Sequence, residues 1–140
     1  MAKKIIVPID NSIHSHRAFQ FAVNLAQCLK GEIILLNVQP NIATTNVKRF
    51  ISQDEIDAYL QELGTEIIDN AIQTVKPTVP IEKVIRIGVP KVEICKEAKE
   101  ANAYCIVMGS RGMGPIKGAV IGSVSYGVLH FAPCPVTIVP

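Results

Sequence analysis

Short runs of Ile, Val and Leu alternate along the chain with longer stretches in which apolar residues return every three or four positions. The first run, Lys4 to Ile9 (KIIVPI), predicts a strand, and Asp10-Asn11-Ser12 behind it form a cluster able to cap a helix. Ala18, Phe21, Ala22, Leu25 and Leu29 then recur at helical spacing from about Ser15 to Leu29, and Gly31 is placed to end that helix in a left-handed conformation. Glu32 to Val38 (EIILLNV) repeats the strand signal, and Pro40 to Ile51 is polar and irregular, a loop long enough to cover a site. Ser52-Gln53-Asp54-Glu55 fits a capping box, from which Ile56, Leu60, Leu63, Ile67 and Ala71 carry an amphipathic helix to about Val75, ended by Pro77 and Pro80. A third strand is predicted at Ile81 to Ile87, followed by a turn at Gly88-Val89-Pro90 and a short helix lined by Ile94, Ala98 and Ala101. Tyr104 to Met108 (YCIVM) is a fourth strand, Ser123 to Phe131 a last helix and Val136 to Val139 a last strand.

Strands apolar on both sides that alternate with amphipathic helices pair in parallel, with helices on both faces of the sheet. The prediction is therefore an α/β protein: a single-domain open parallel sheet of about five strands, Rossmann-like. Two strand orders are plausible, 3-2-1-4-5 and 2-1-3-4-5, and ligands bind where the order reverses. In the first, the reversal falls between strands whose ends carry Asp10 and Gly109; in the second, Gly88-Val89-Pro90 follows the switch. The richer loop follows strand 4, which selects 3-2-1-4-5.

Length and composition agree with one core: the chain has 140 residues, 49% hydrophobic and 19% charged. A net charge of +2 with Lys and Glu interspersed is no footprint for nucleic acid. No apolar run approaches the roughly 20 residues of a membrane span. The Met1-Ala2-Lys3-Lys4 start leads straight into a strand, not a signal peptide, so a cytoplasmic protein without membrane or nucleic-acid partners is expected. Cys28, Cys95, Cys105 and Cys134 form no CxxC pair and read as reduced core residues, Cys28 and Cys95 on apolar helix sides. His14 and His16, two apart at a helix start, make a poor metal pair and read as surface or capping residues.

Candidate chemistry concentrates in Gly109 to Ser125, where Gly109, Gly112, Gly114, Gly118 and Gly122 would be costly inside any regular element. They mark backbone that takes positive φ or admits a close approach. A turn leaving a strand at Gly109 and a helix opening at Gly122-Ser123 would aim backbone N–H groups at one point, a cradle for phosphate. Ser123 and Ser125 would add hydroxyls, and Arg111 or Lys117 charge. Glycine content alone suits a surface loop equally well. Neither G-x-x-x-x-G-K-[ST] nor G-x-G-x-x-G can be read here, since Lys117 stands where the third glycine of the latter would be.

What can be read is G-x2-G-x9-G-[ST], with Gly109, Gly112, Gly122 and Ser123 in register. This resembles the nucleotide-binding pattern of the universal stress protein family. VPID at Val7 to Asp10, LNV at Leu36 to Val38, G-x-P at Gly88 to Pro90, IVMGSRG at Ile106 to Gly112 and APCPV at Ala132 to Val136 are similar to that family in the same order, so the resemblance covers the chain. Tyr104 and Tyr126-Gly127 depart from it outside the glycine pattern. The resemblance to the ATP-binding branch implies Pro8, Ile9 and Asp10 beside the adenosine, and Val38 meeting adenine through its backbone. It places Met108, Gly109, Arg111 and Gly112, with Gly122, Ser123, Val124 and Ser125, around ribose and phosphates. It also implies a homodimer through the C-terminal strand.

The function these readings give is that of an ATP-binding regulatory or stress-response protein, the ATP with or without magnesium, whose occupancy alters the surface offered to an unidentified protein partner. The alternative is a slow ATPase or phosphotransfer enzyme using Asp10 and a magnesium ion, and a third is an interaction dimer with an empty crevice. Asp10 itself reads either as a capping residue or as a ligand for ribose or a phosphate-bound metal. No second carboxylate or histidine is placed beside the cradle by the sequence, so the site is expected to hold rather than to turn over.

Overall fold

The computed structural model describes residues 2–112 and 121–140. Five strands, β1 (Lys4–Pro8), β2 (Glu32–Gln39), β3 (Ile81–Ile87), β4 (Cys105–Gly109) and β5 (Val136–Val139), form one sheet. Its order is β3-β2-β1-β4-β5 and the pairing is parallel throughout. The helices are α1 (Ile13–Leu29), α2 (Thr45–Lys48), α3 (Gln53–Val75), α4 (Pro90–Glu100) and α5 (Ser123–Phe131). The expected strand order is the one observed.

The side-chain period of two divides the central strands between two apolar layers. Ile5, Val7, Ile33 and Leu35 pack under α1 and α3, with Phe19, Ala22 and Ile68 fully buried. Ile6, Ile34, Leu36, Ile106 and Met108 pack on the other face against Ile94 and Ala98 of α4 and Val128 of α5. Helices therefore cover both faces, as parallel pairing requires. Among the described residues no helix is long and apolar enough to cross a membrane.

Several details differ from the sequence expectation, each for a local reason. Helix α1 starts at Ile13 because Ser12 caps it, its hydroxyl accepting from the Ser15 N–H. Its buried stripe runs through Ser15, Ala18, Phe19, Ala22, Val23 and Ala26. That turns Phe21 outward at 45% exposure and leaves Cys28 exposed, so neither belongs to the core. The left-handed residue ending α1 is Lys30, at φ 53°, not Gly31. Gly31 is needed for a different reason: a Cβ there would stand 2.6 Å from the Lys3 carbonyl oxygen. In α3 the buried positions are Ile56, Leu60, Gly64, Ile68 and Ala71, so Leu63 and Ile67 flank the stripe instead of filling it. The irregular stretch after β2 contains the single turn of α2, capped by Thr44.

Edge strand β3 is guarded by charge. Arg86 pairs with Glu93, Glu97 and Glu100 of α4, the Glu97 contact at 2.9 Å. Burial works against the Arg86 charge, but the hydrogen bonds it donates to Glu97, Glu100 and Glu93 outweigh it and raise its pKa. The opposite edge, Val136–Val139, carries no charged residue and remains half-buried.

Candidate functional site

At the carboxyl ends of β1, β2 and β4 the chain opens into a cleft of about 270 Å³, near the lower limit for small-molecule sites. It lies where the strand order reverses, since β1 sits between β2 and β4. One wall is apolar: Pro8, Leu36, Val38, Pro90, Ile94 and Met108. The other end is glycine, hydroxyl and cation: Gly109, Arg111 and Gly112 facing Gly122 to Ser125. Ile9 and Asp10 join the two. Every site residue expected from the sequence lines this cleft, whereas Lys117, Gly114 and Gly118 lie outside the described residues.

The turn after β1 is held by its own polar groups. The Asp10 carboxylate accepts from the Ser12 N–H at 2.8 Å, an Asx turn that sets Ser12 as the cap. Asp10 thus shapes the entry to α1 without capping it. The Ser15 hydroxyl donates within reach of the Asp10 and Ser12 carbonyls, 3.0 Å from each, and accepts from the Asp10 N–H. The other Asp10 oxygen would stand 2.6 Å from a Cβ on Gly112. Gly112 is therefore glycine so that the β4 turn can lie against the carboxylate.

Close approach, not positive φ, accounts for these glycines; among the described residues only Gly88 is a positive-φ glycine. Gly109 admits the start of α1, since a Cβ there would stand 2.7 to 2.9 Å from His14 atoms, backbone included. Gly122 is different. A Cβ at Gly122 would meet nothing closer than 3.5 Å, an ordinary contact. Its φ of -77° and ψ of 170° suit any residue. Nothing the described chain places around Gly122 calls for glycine, and Gly122 lines the cleft.

Helix α5 begins at this point, and Gly122 gives it no side-chain cap. The Gly122 N–H is already used, donating to the Ser110 carbonyl at 2.7 Å. The first intrahelical bond runs from the Tyr126 N–H to the Gly122 carbonyl, so the N–H groups of Ser123, Val124 and Ser125 precede the helical ladder. The Ser125 hydroxyl donates to the buried Gly109 carbonyl at 2.8 Å. It ties α5 to β4 and is not the free donor expected from the sequence. Ser123 is exposed at the mouth.

Sequence reasoning passed over Leu36, Ser15, Asn37, Pro90, Ile94 and Ile121 as lining residues. Pro90 and Ile94 had been accounted for as helix start and helix core, and the tertiary approach of α4 to β2 carries no local signal. His14 and His16, expected as surface or capping residues, are half-buried, and among the described residues His14 Nδ1 and His16 Nε2 have no hydrogen-bond partner.

An open parallel sheet with a glycine-lined cleft at its switch point defines a doubly wound α/β protein. The chain belongs to the universal stress protein family, whose model matches residues 1–140. It is 35% identical over 149 residues to the universal stress protein YxiE of Bacillus subtilis, covering 99% of each. The fold is similar to that of the universal stress protein UspA from Lactobacillus plantarum, with a TM-score of 0.83 at 27% identity, covering 99% of this chain and 97% of that one. A universal stress protein from Archaeoglobus fulgidus in complex with dAMP shares the fold at 22% identity, with a TM-score of 0.71 and coverage of 100% and 98%.

Proposed function

We propose that the cleft binds an adenine nucleotide, ATP in preference to shorter forms, and that occupancy governs what the protein offers to a protein partner in a cytoplasmic stress response. The observation that carries the reading is the start of α5: a helix N-terminus without a side-chain cap, opening at a glycine that lines the cleft and whose conformation and described neighbours would admit a side chain. Phosphate suits that point, because the N–H groups of Ser123, Val124 and Ser125 and the positive end of the helix converge there. Arg111 adds a cation on the same side. The apolar wall of Leu36, Val38 and Ile94 suits a flat base. The Archaeoglobus fulgidus protein in complex with dAMP supports the fold's capacity for such a ligand.

Slow turnover follows from the same lining. Asp10 is its one carboxylate among the described residues, and an Asp10 oxygen already serves the Asx turn. A magnesium ion bound to the phosphates would find Asp10 as its protein ligand; without a second group to orient water, hydrolysis stays far below ordinary enzyme rates. A second copy of the chain pairing along β5 completes the reading, since the opposite edge is defended by charge and this one is not. The deciding experiment denatures the purified protein, identifies released ligands by mass spectrometry, and titrates the stripped protein with ATP, AMP and adenosine in a calorimeter. Release of an adenine nucleotide and tightest binding of ATP support the proposal; absence of binding to all three refutes it.

A further inference from the structure

The ladder between β1 and β2 stops at Pro8 and Leu36. The Ile9 N–H still donates to the Leu36 carbonyl at 2.8 Å, so the next rung of a parallel ladder would run from the Val38 N–H to the Ile9 carbonyl. That carbonyl instead accepts the side-chain amide of Asn37 at 2.8 Å. Gln39 faces β3, its carbonyl accepting from the Gly88 N–H at 2.9 Å, so Val38, one residue earlier, faces the side that β1 has left. Among the described residues its N–H and C=O have no strand partner there, and Val38 lines the cleft.

Asn37 is firmly held in this role. It is 3% exposed, and its Oδ1 accepts from the amide of buried Gln39 at 2.7 Å. The amide orientation is fixed by its neighbours, because the Ile9 carbonyl only accepts and the Asn37 nitrogen must face it. Helix α3 closes over the group at Gly64, where a Cβ would stand 3.1 Å from Asn37 Oδ1 and 2.9 Å from Ile85 Cγ2. A buried polar network under α3 thus engages the Ile9 carbonyl at the edge of the cleft.

We infer that Asn37 is a positioning residue for base selection: by taking the Ile9 carbonyl it keeps the Val38 N–H and C=O open as a donor and acceptor edge that reads adenine. The inference rests on the proposal that an adenine nucleotide occupies the cleft. Adenine presents N1 as acceptor beside the N6 amino donor, whereas guanine presents N1–H and O6 in the reverse sense. A fixed backbone edge distinguishes the two. Without the Asn37 amide, the Ile9 carbonyl is free to take the Val38 N–H, the ladder gains a rung and the edge is lost.

Amide hydrogen exchange on the ligand-free protein tests the positioning directly. Val38 is expected to exchange at least about 100-fold faster than Leu36, whose strand pairing is intact. Asn37→Leu, or Asn37→Asp where the leucine variant fails to fold, should slow Val38 exchange by about tenfold or more. Asn37→Asp keeps an acceptor for Gln39 and removes the donor to Ile9. In calorimetric titrations the same variants should reduce the preference for adenosine over guanosine about tenfold, while the gain from adenosine to ATP stays unchanged. A Val38 amide as protected as that of Leu36 in the wild type overturns the positioning role, whatever binds. An undiminished adenosine preference in the variants overturns the base-reading role. Failure of the wild type to bind either nucleoside or ATP overturns base reading together with the nucleotide proposal, and the exchange data alone then decide the positioning.

Discussion

Two glycines of one sequence pattern, Gly109 and Gly122, do different physical work, and substitution separates them. Gly109→Ala drives a Cβ into backbone atoms of His14, which cannot rotate away, and should cost about 1 to 3 kcal/mol of stability by denaturant unfolding. Gly122→Ala meets only ordinary contacts among the described residues, so its unfolding midpoint should stay near wild type while ATP binding weakens. Gly122→Val should abolish ATP binding, since it adds a branched side chain where Gly122 lines the cleft. Ser123→Ala removes an exposed hydroxyl from the same mouth; losing one bond to a charged acceptor costs about 1.5 to 3 kcal/mol, roughly 10- to 150-fold in Kd. Adenosine binding should change much less in each case, and a uniform loss for adenosine and ATP would show that the phosphates are not the contact. The cysteines divide just as sharply. Burial pushes the Cys105 thiol up to about 11, with Cys134 nearby adding to the effect, whereas Cys28 is exposed. Alkylation at pH 8 followed by peptide mapping should label Cys28 first and leave Cys105 unmodified until the protein unfolds, because the thiolate is the reactive form.

Among the elements, α1 illustrates how a sequence announces a helix and conceals its face. Removing its cap with Ser12→Ala should cost about 1 kcal/mol, at the upper side if the buried Ser15 hydroxyl is also disturbed, measured as a shift in urea midpoint at constant slope. The spacing of Ala18, Ala22 and Leu25 gave the helix, but Phe19 and Phe21 flank that line and only the approach of the sheet decides between them. The same holds for α3, where Gly64 sits in the buried stripe because Ile85 and Asn37 press against it. Strands were more legible. Doubly covered strands are apolar on both sides, and Ile81–Ile87 and Val136–Val139 coincide with their expected spans. Gly109, Gly112, Gly122 and Ser123 were legible through their spacing, which matches the family pattern, whereas Pro8, Ile9 and Val38 were placed at the cleft only by what the resemblance implies. Asn37 was not legible, because a side chain bonding the backbone of another strand leaves no periodic trace. Nor was the engagement of the Ser125 hydroxyl by Gly109, which two separated segments create only on folding.

For the molecule as a whole, assembly and turnover are the expectations to measure. Light scattering at micromolar concentration should give the mass of a dimer, and Val136→Lys or Ile138→Lys on the uncharged edge should return the monomer. Single-turnover assays with labelled ATP and magnesium should show little product over minutes; a rate of roughly 1 per second or faster would instead mark an enzyme. The strand order also dictates when the molecule can be finished. During synthesis β1 emerges first, yet it occupies the middle of the sheet, and β2 and β3 add to one side only. Its other side waits for β4, whose partners Cys105 and Ile106 follow after most of the chain has been made. A nascent chain that has released α1, β2, α3 and β3 therefore holds an apolar central strand with one flank bare, and no crevice. The cleft is lined on all sides only once Gly109 to Gly112 and Gly122 to Ser125 have met Asp10 and the end of β2, so the binding proposed for it arrives with the last elements.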